Sequence, residues 1–595
     1  MIVQIPSDGK FYQTNDSEIS GNIWASWNLD LESNPGRIRI SPQTRMRLSN
    51  ADSSLFIYPF AFASGNFDGI KTRIWATCNG VVYKTSNEID GSGDIPDVSS
   101  WEYDTTLNSP SDLDYLISDV AEMNGTMFVS TSTDIKALIS GTWNTSFWQG
   151  TLGQASLFGG SNNPKALCRS FNNLLLIGSG NTVASVDISG TVDLTAMALP
   201  RAYRIIWIRS SNSIIWVGCR NIDGGKTKIF AWDGYSENFN YDYEITGSYS
   251  LAGVIKDEIP YTINERGEFL VFNGGGFIQL AKFPSFNSDY NFSDDNIYLA
   301  SITRNSMIVH DNLIHILVNA SVNDVLLENQ LSGVWVYDPK IGLHHKYSIT
   351  KAASGITDYG SPAIIRPGCL YSLPKNNGNL LIGCSSYISD LQGTASIRHA
   401  ILDIKNNETD TSDKIGYFIT SKIQTSQVEE QWQKIYVLIK KLLNSTDKIY
   451  VKYRTDWQDF GELGAGQNIY AQKATWADTN TIYFNSSDST SYISVGDEVE
   501  ILAGEGAGLS ANVESTDGTL FVLDETVASA SGTITARISN WKKVGTDINT
   551  QGLRNFELPI DARSTWIQFK IVCMWKGKNE IEKLLIKSEP QILTK

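Results

Sequence analysis

Positive charge is what this 595-residue chain is short of: 48 lysines and arginines face 64 aspartates and glutamates, for a formal net charge of -16. That balance argues against a nucleic-acid-binding surface, which draws on clustered Lys and Arg. It would suit a wall past which DNA slides without sticking. Histidine is scarcer still: His310, His315, His344, His345 and His399 are the whole set, and no acid or cysteine stands at a recognisable ligand spacing from them. The six cysteines, Cys78, Cys168, Cys219, Cys369, Cys384 and Cys573, lie far apart with no C-x-x-C, which argues against a zinc or redox site. Several sit in apolar runs such as Trp216-Val217-Gly218-Cys219, where a free thiol acts as a small buried hydrophobe in a reducing compartment. No run approaches the roughly 18 apolar residues of a membrane span. The opening Met1-Ile2-Val3-Gln4-Ile5-Pro6 carries no basic-then-apolar secretory signal. The expectation is a soluble protein made in a cytoplasm, without membrane insertion.

Helix signals are also wanting, because no long window places apolar residues at i, i+3, i+4 and i+7. Aromatic and β-branched residues are plentiful instead, and they favour strands. From about residue 55 to 404 one phrase returns seven times: a turn pair, then an apolar strand ending in a small or polar residue. Its instances are centred on Trp75, Phe128, Ile177, Val217, Leu270, Ile316 and Ile382, 40 to 66 residues apart. These are propeller-blade spacings, since a four-stranded blade takes roughly 40 to 50 residues. A second element, an apolar strand ending in Asp, follows several of them at Asp187, Asp233, Asp338 and Asp403. Asp before Gly or Pro starts a tight turn, so the two elements are consecutive strands of one blade. The expected fold is all-β, a β-propeller of about seven blades over 55–404. The segment 1–54 is an arm that either closes the last blade or reaches a neighbour.

A polar stretch over 405–413 reads as a linker. Beyond it, strands around Ile415–Ile423, Trp432–Ile439, Lys448–Tyr453, Arg554–Leu558 and Trp566–Trp575 predict a β-sandwich split between 414–473 and 539–595. Five short strands with Gly turns over 474–538 predict a small β-barrel inserted into it.

Chemistry is harder to find. His315 lies in an apolar strand and is read as a half-buried, hydrogen-bonded residue; His344-His345 cannot form a two-ligand site, because adjacent strand residues point to opposite faces. Gly274-Gly275-Gly276 and Gly504-Glu505-Gly506-Ala507-Gly508 open no helix, so they are turns rather than phosphate cradles. Asp94-Ile95-Pro96-Asp97 and Asp294-Asp295 lack the alternate-position ligands of a calcium loop and do not read as paired glycosidase carboxylates. The repeated S-x-D-x-G-x-T-W turn of sialidase propellers is absent; Ser515-Thr516-Asp517-Gly518-Thr519 is nearest and stands alone. The many aromatics suit sheet-on-sheet packing better than sugar stacking. No catalytic, cofactor-binding or metal residue is assigned, and no enzymatic activity is expected.

The opening Asn22-Ile23-Trp24-Ala25-Ser26-Trp27-Asn28-Leu29-Asp30, followed by Pro35-Gly36-Arg37-Ile38-Arg39-Ile40, resembles the start of virion proteins of tailed bacteriophages. Ile449–Asp456, Trp566–Ile571 and the Gly496-Asp497-Glu498-Val499 module resemble the strands and inserted barrel that close such proteins. The resemblance implies a structural tail component, a nozzle, hub or tip, forming a ring with other copies of itself around the DNA exit path. Its implied partners are neighbouring tail or adaptor proteins, with DNA only as passing cargo, and its implied location is the virion. The alternatives are a host-surface or polysaccharide-binding tail protein and, behind it, a glycan-cleaving propeller. On the ring reading, the acidic loops Asn287–Asp295 and Gly91–Asp97 would face the ring axis.

Overall fold

The computed structural model describes residues 2–590 apart from the stretches 12–21, 51–59, 87–100, 108–118, 158–164, 284–296, 327–332, 348–363, 374–379, 390–394, 405–413, 425–429, 442–446, 456–471, 485–492 and shorter breaks. Seven four-stranded antiparallel sheets follow one another from Ala61 to Ile404. Their first strands, Ala61–Gly65, Asp119–Met123, Ala166–Arg169, Tyr203–Ser210, Ser250–Lys256, Met307–His310 and Ile364–Ser372, touch in succession, and the last touches the first. The ring therefore closes as a β-propeller, with these strands around the axis. The fourth strand of blade 7 comes from the arm: Thr44–Asn50 pairs antiparallel with Ala395–Ile404.

The hairpins explain the repeated phrase. Asn124-Gly125, Asp257-Glu258 and Asp311-Asn312, each joining the first two strands of a blade, have positive φ at both residues, the type I′ geometry whose twist matches that of paired strands. The Asp-terminated elements are third strands, and the carboxylates of Asp187, Asp233 and Asp338 cap the next turn. Asp187 Oδ1 accepts the N–H groups of Ser189 and Thr191, and Asp233 Oδ1 those of Tyr235 and Ser236, which holds both carboxyls below the usual range. One assignment is corrected. The fifth phrase, Glu268–Phe272, is the third strand of blade 5, while the second strand is Ile259–Asn264, whose turn contains no glycine.

Blades pack through large side chains meeting small ones. The fully buried Trp207 of blade 4 donates its indole N–H to Ser250 Oγ of blade 5 at 2.9 Å. Gly218 and Gly253 leave the space for that ring: a Cβ on Gly218 would lie 2.0 Å from it.

Two further sheets lie face to face. One contains Ile2–Ile5, Glu580–Pro590, Glu430–Lys441 and Gly552–Glu557; the other contains Ile23–Trp27, Lys414–Thr420, Trp566–Trp575, Lys448–Thr455 and Lys542–Lys543. Alternate residues such as Ile435, Val437 and Ile439 on one, and Phe569, Ile571 and Cys573 on the other, share a dry core. Gln472–Ser539 forms a closed barrel of six strands rather than five, the addition being Gln472–Trp476. The only helical piece among the described residues is one π-turn, Phe147–Thr151.

The propeller and the paired sheets share an aromatic core. Trp27 stacks on Tyr417 at 5.8 Å and meets His345 of blade 6, which stands edge-on to Trp335. The Asn28 N–H donates to His345 Nδ1 at 3.0 Å, joining arm to blade.

Candidate functional site

Burying a charge is costly unless partners replace its water, so buried charged clusters are the places to look for function. Three stand out among the described residues.

The first surrounds the propeller axis, where Thr303, Arg304 and Asn305 precede the first strand of blade 6. Asn305 Nδ2 donates to Phe60 O before blade 1 (3.1 Å) and to Asp119 Oδ1 of blade 2 (3.0 Å), and Asn305 O accepts the N–H of Leu370 in blade 7 (2.9 Å). Asp119 Oδ2 accepts the N–H of Leu167 in blade 3 at 3.0 Å. Arg209 of blade 4 donates to Arg304 O (2.8 Å), to Asn305 Oδ1 (3.3 Å) and to Gly253 O of blade 5 (3.0 Å). Thr303 Oγ1 donates to Gly368 O in blade 7. The segment Thr303–Asn305 thus bonds directly to Phe60 before blade 1 and to blades 2, 4 and 7, and through Asp119 and Arg209 the network extends to blades 3 and 5. Arg304, 6% exposed, stands 3.8 Å from Asp119, and its Nη1 has no hydrogen-bond partner. Burial, only partly offset by Asp119, pulls the Arg304 guanidinium below its usual range; burial and Arg304 push the neighbouring Lys165 down to about 8.

The second cluster clamps the arm onto blade 6. Glu32 meets His344 Nε2 at 2.9 Å and Lys346 Nζ at 3.1 Å. Burial raises the Glu32 carboxyl, but its contacts with His344 and Lys346 outweigh it and hold it far below the usual carboxylate range. The third joins barrel to sheet. Lys452 pairs with Glu498 and Lys570 with Glu500, all four buried. Lys452 and Lys570 are direct cross-strand neighbours, an arrangement that repels unless countered, and two glutamates spaced i, i+2 on one barrel strand counter it. Burial pushes Glu498 up and Lys452 down in spite of their attraction.

The histidines fall as follows. His344 faces Glu32 and His345 faces the aromatic core, on opposite sides of one strand. His315 is fully buried, not half-buried; it lies edge-on to His310 at 5.1 Å, and burial keeps it neutral. The side chain of His399, the loops 91–97 and 287–295 and most of 504–508 lie outside the described residues. Gly275 and Gly276 donate to Asn273 Oδ1 in a plain turn. Among the described residues no three of His, Cys, Asp or Glu come together in a way that could hold a metal ion, and no helix is long and apolar enough to cross a membrane. Cys219 and Cys573 are buried, which raises their thiols well above the reactive range. None of the charged residues of the axial cluster was singled out from sequence. They are scattered singly over four blades, Asp119, Lys165, Arg209 and Arg304, and the only local signal is a charged residue at a strand entrance, as at Asp119.

No protein-family model matches the chain, and no curated protein matches it. Solved propeller structures are similar to part of it. The β-propeller domain of Cps50 (Swd1) from Myceliophteria thermophila is 8% identical, covering 61% of this chain and 100% of its own, with a TM-score of 0.36. The Dos1 propeller is 11% identical over 65% of this chain and 92% of its own, TM-score 0.33. The computationally designed Ika8 protein is 12% identical over 59% of this chain and 99% of its own, TM-score 0.33.

Proposed function

We propose that the chain is a structural subunit of a bacteriophage tail, at the nozzle, hub or tip, which assembles with its own copies into a ring around the DNA exit path. The observation that carries this reading is the interlacing of the molecule. The arm completes blade 7, pairs Ile23–Trp27 with Lys414–Thr420, and pairs Ile2–Ile5 with Glu580–Pro590. Such lacing makes propeller and C-terminal sheets one stiff block, which a mechanical part needs and a hydrolase does not. We read the paired sheets as a β-sandwich carrying the barrel as an insertion. On this reading the partners are neighbouring tail or adaptor proteins, DNA passes without specific contact, and no turnover of glycans, esters or nucleic acid occurs. Electron microscopy of intact particles tests it: a ring of identical subunits about the tail axis is expected, and peripheral trimers pointing outward would refute it.

A second reading, attachment to surface polysaccharide, draws on the exposed Tyr241 of blade 4, which stacks with Tyr243 at 6.4 Å. A glycan-array signal abolished by Tyr241→Ala would favour it over the ring.

A further inference from the structure

The axial cluster leaves a buried guanidinium, Arg304, with an open donor at Nη1. Among the described residues one carboxylate, Asp119, pairs with Arg304, and none pairs with Arg209. Asp119 already accepts hydrogen bonds from Leu167, Val120 and Asn305, and it lies 3.8 Å from Arg304, beyond hydrogen-bonding reach. Among the described residues every acceptor of Arg209 is a neutral oxygen: the carbonyls of Ile208, Gly253 and Arg304 and the amide of Asn305. The other titratable group acting on Arg304 is the neutral Tyr249. Arginine stays protonated in proteins, so the cation here cannot relieve its burial by losing a proton. A buried guanidinium with an open donor calls for a counter-charge, and its fork geometry fits an oxyanion.

We propose that the propeller axis binds one small oxyanion, of the class of inorganic phosphate, on Arg304 Nη1. The anion acts as a counter-ion for the network that joins the blades at their centre. Since Arg304 is only 6% exposed, a polymer backbone does not reach it. The ligand is therefore a free ion rather than a phosphate of DNA.

The test is thermal unfolding of the full chain with inorganic phosphate titrated against chloride at constant ionic strength. A saturable rise of several degrees is expected in the native protein, because a ligand bound only by the folded state stabilises it by mass action. The rise should vanish in Arg304→Met. No rise in the native chain, or an equal rise in the variant, overturns the proposal. Because Arg304→Met removes a central side chain and can fail to fold, phosphorus NMR of the native protein provides an independent measure. One saturable phosphate per chain is expected, and none overturns it. A short single-stranded oligonucleotide at the same phosphate concentration should leave the unfolding temperature unchanged. Stabilisation by the oligonucleotide alone would place the binding on the outer surface and sink the idea.

Discussion

The sheet containing Lys448–Thr455 and Trp566–Trp575 meets two neighbours with one face, and it treats them differently. Toward the propeller it presents Tyr450 and Val572, beside Trp27 and Tyr417, and the joint is apolar and aromatic. One register step along, toward the barrel, it presents Lys452 and Lys570, and the joint is ionic. Two more pairs run the same way, Lys448 to Glu525 and Lys543 to Asp524, with the cation always on the sheet and the acid always on the barrel. Apolar burial is non-directional and tolerates small shifts, whereas a buried ion lattice admits one register and is costly when half made. The propeller joint thus supplies cohesion. The barrel joint supplies orientation, and it can be undone by a single charge change.

The largest effect should come from breaking that lattice on one side. Lys452→Met leaves Glu498 buried without its partner and should cost about 3–5 kcal/mol, appearing in calorimetry as a barrel transition that separates from the rest. Lys452→Met combined with Glu498→Leu should restore most of the loss, because both charges are then gone; persistence of the full defect would mean that the lattice is not the cause. Trp27→Ala should also cost about 3–5 kcal/mol. Its damage should appear instead as hydrogen exchange along Lys414–Thr420 and blade 6, with the barrel unaffected.

Acid should act on the arm clamp. The Glu32 carboxyl has a folded value far below its ordinary 4.5, so its contribution is complete above that pH and is lost as pH falls toward the folded value. Melting curves at pH 7 and pH 3 should differ more for the native chain than for Glu32→Gln, which should cost roughly 2 kcal/mol at pH 7 and less at pH 3. The smallest effect belongs to the half-exposed Lys448, whose partner Glu525 is buried but keeps a second cation, Lys543, at 3.7 Å. Lys448→Ala should change stability by no more than about 0.5 kcal/mol, and less in high salt.

How much of this was legible in the sequence depended on how local the cause was. Type I′ hairpins and Asp-capped turns are written in two or three adjacent residues, so six of the seven repeated phrases mark second strands. The fifth misleads because Asp257 and Glu258 adopt positive φ with neither Asn nor Gly in the pair to signal the turn. Glu258 instead anchors the hairpin by accepting both the backbone N–H (2.7 Å) and the side-chain amide (2.6 Å) of Asn212 in the preceding blade. The axial cluster was invisible for the opposite reason. Asp119, Arg209 and Arg304 lie in three blades, and only the closed ring gives them a common neighbourhood. The lysine–glutamate lattice has the same character, since 46 and 70 residues separate its partners.

The lacing of the arm also sets an order of events during synthesis. Thr44–Asn50 leaves the ribosome early, yet its pairing partner ends at Ile404, and Ile2–Ile5 waits for Glu580–Pro590. At roughly 5–20 residues per second, the first strand stays unpaired for about half a minute to two minutes. Throughout that interval the nascent chain carries open strand edges, a template for pairing with another chain. The protein that is most firmly tied when finished is therefore the one most in need of shielding while it is being made.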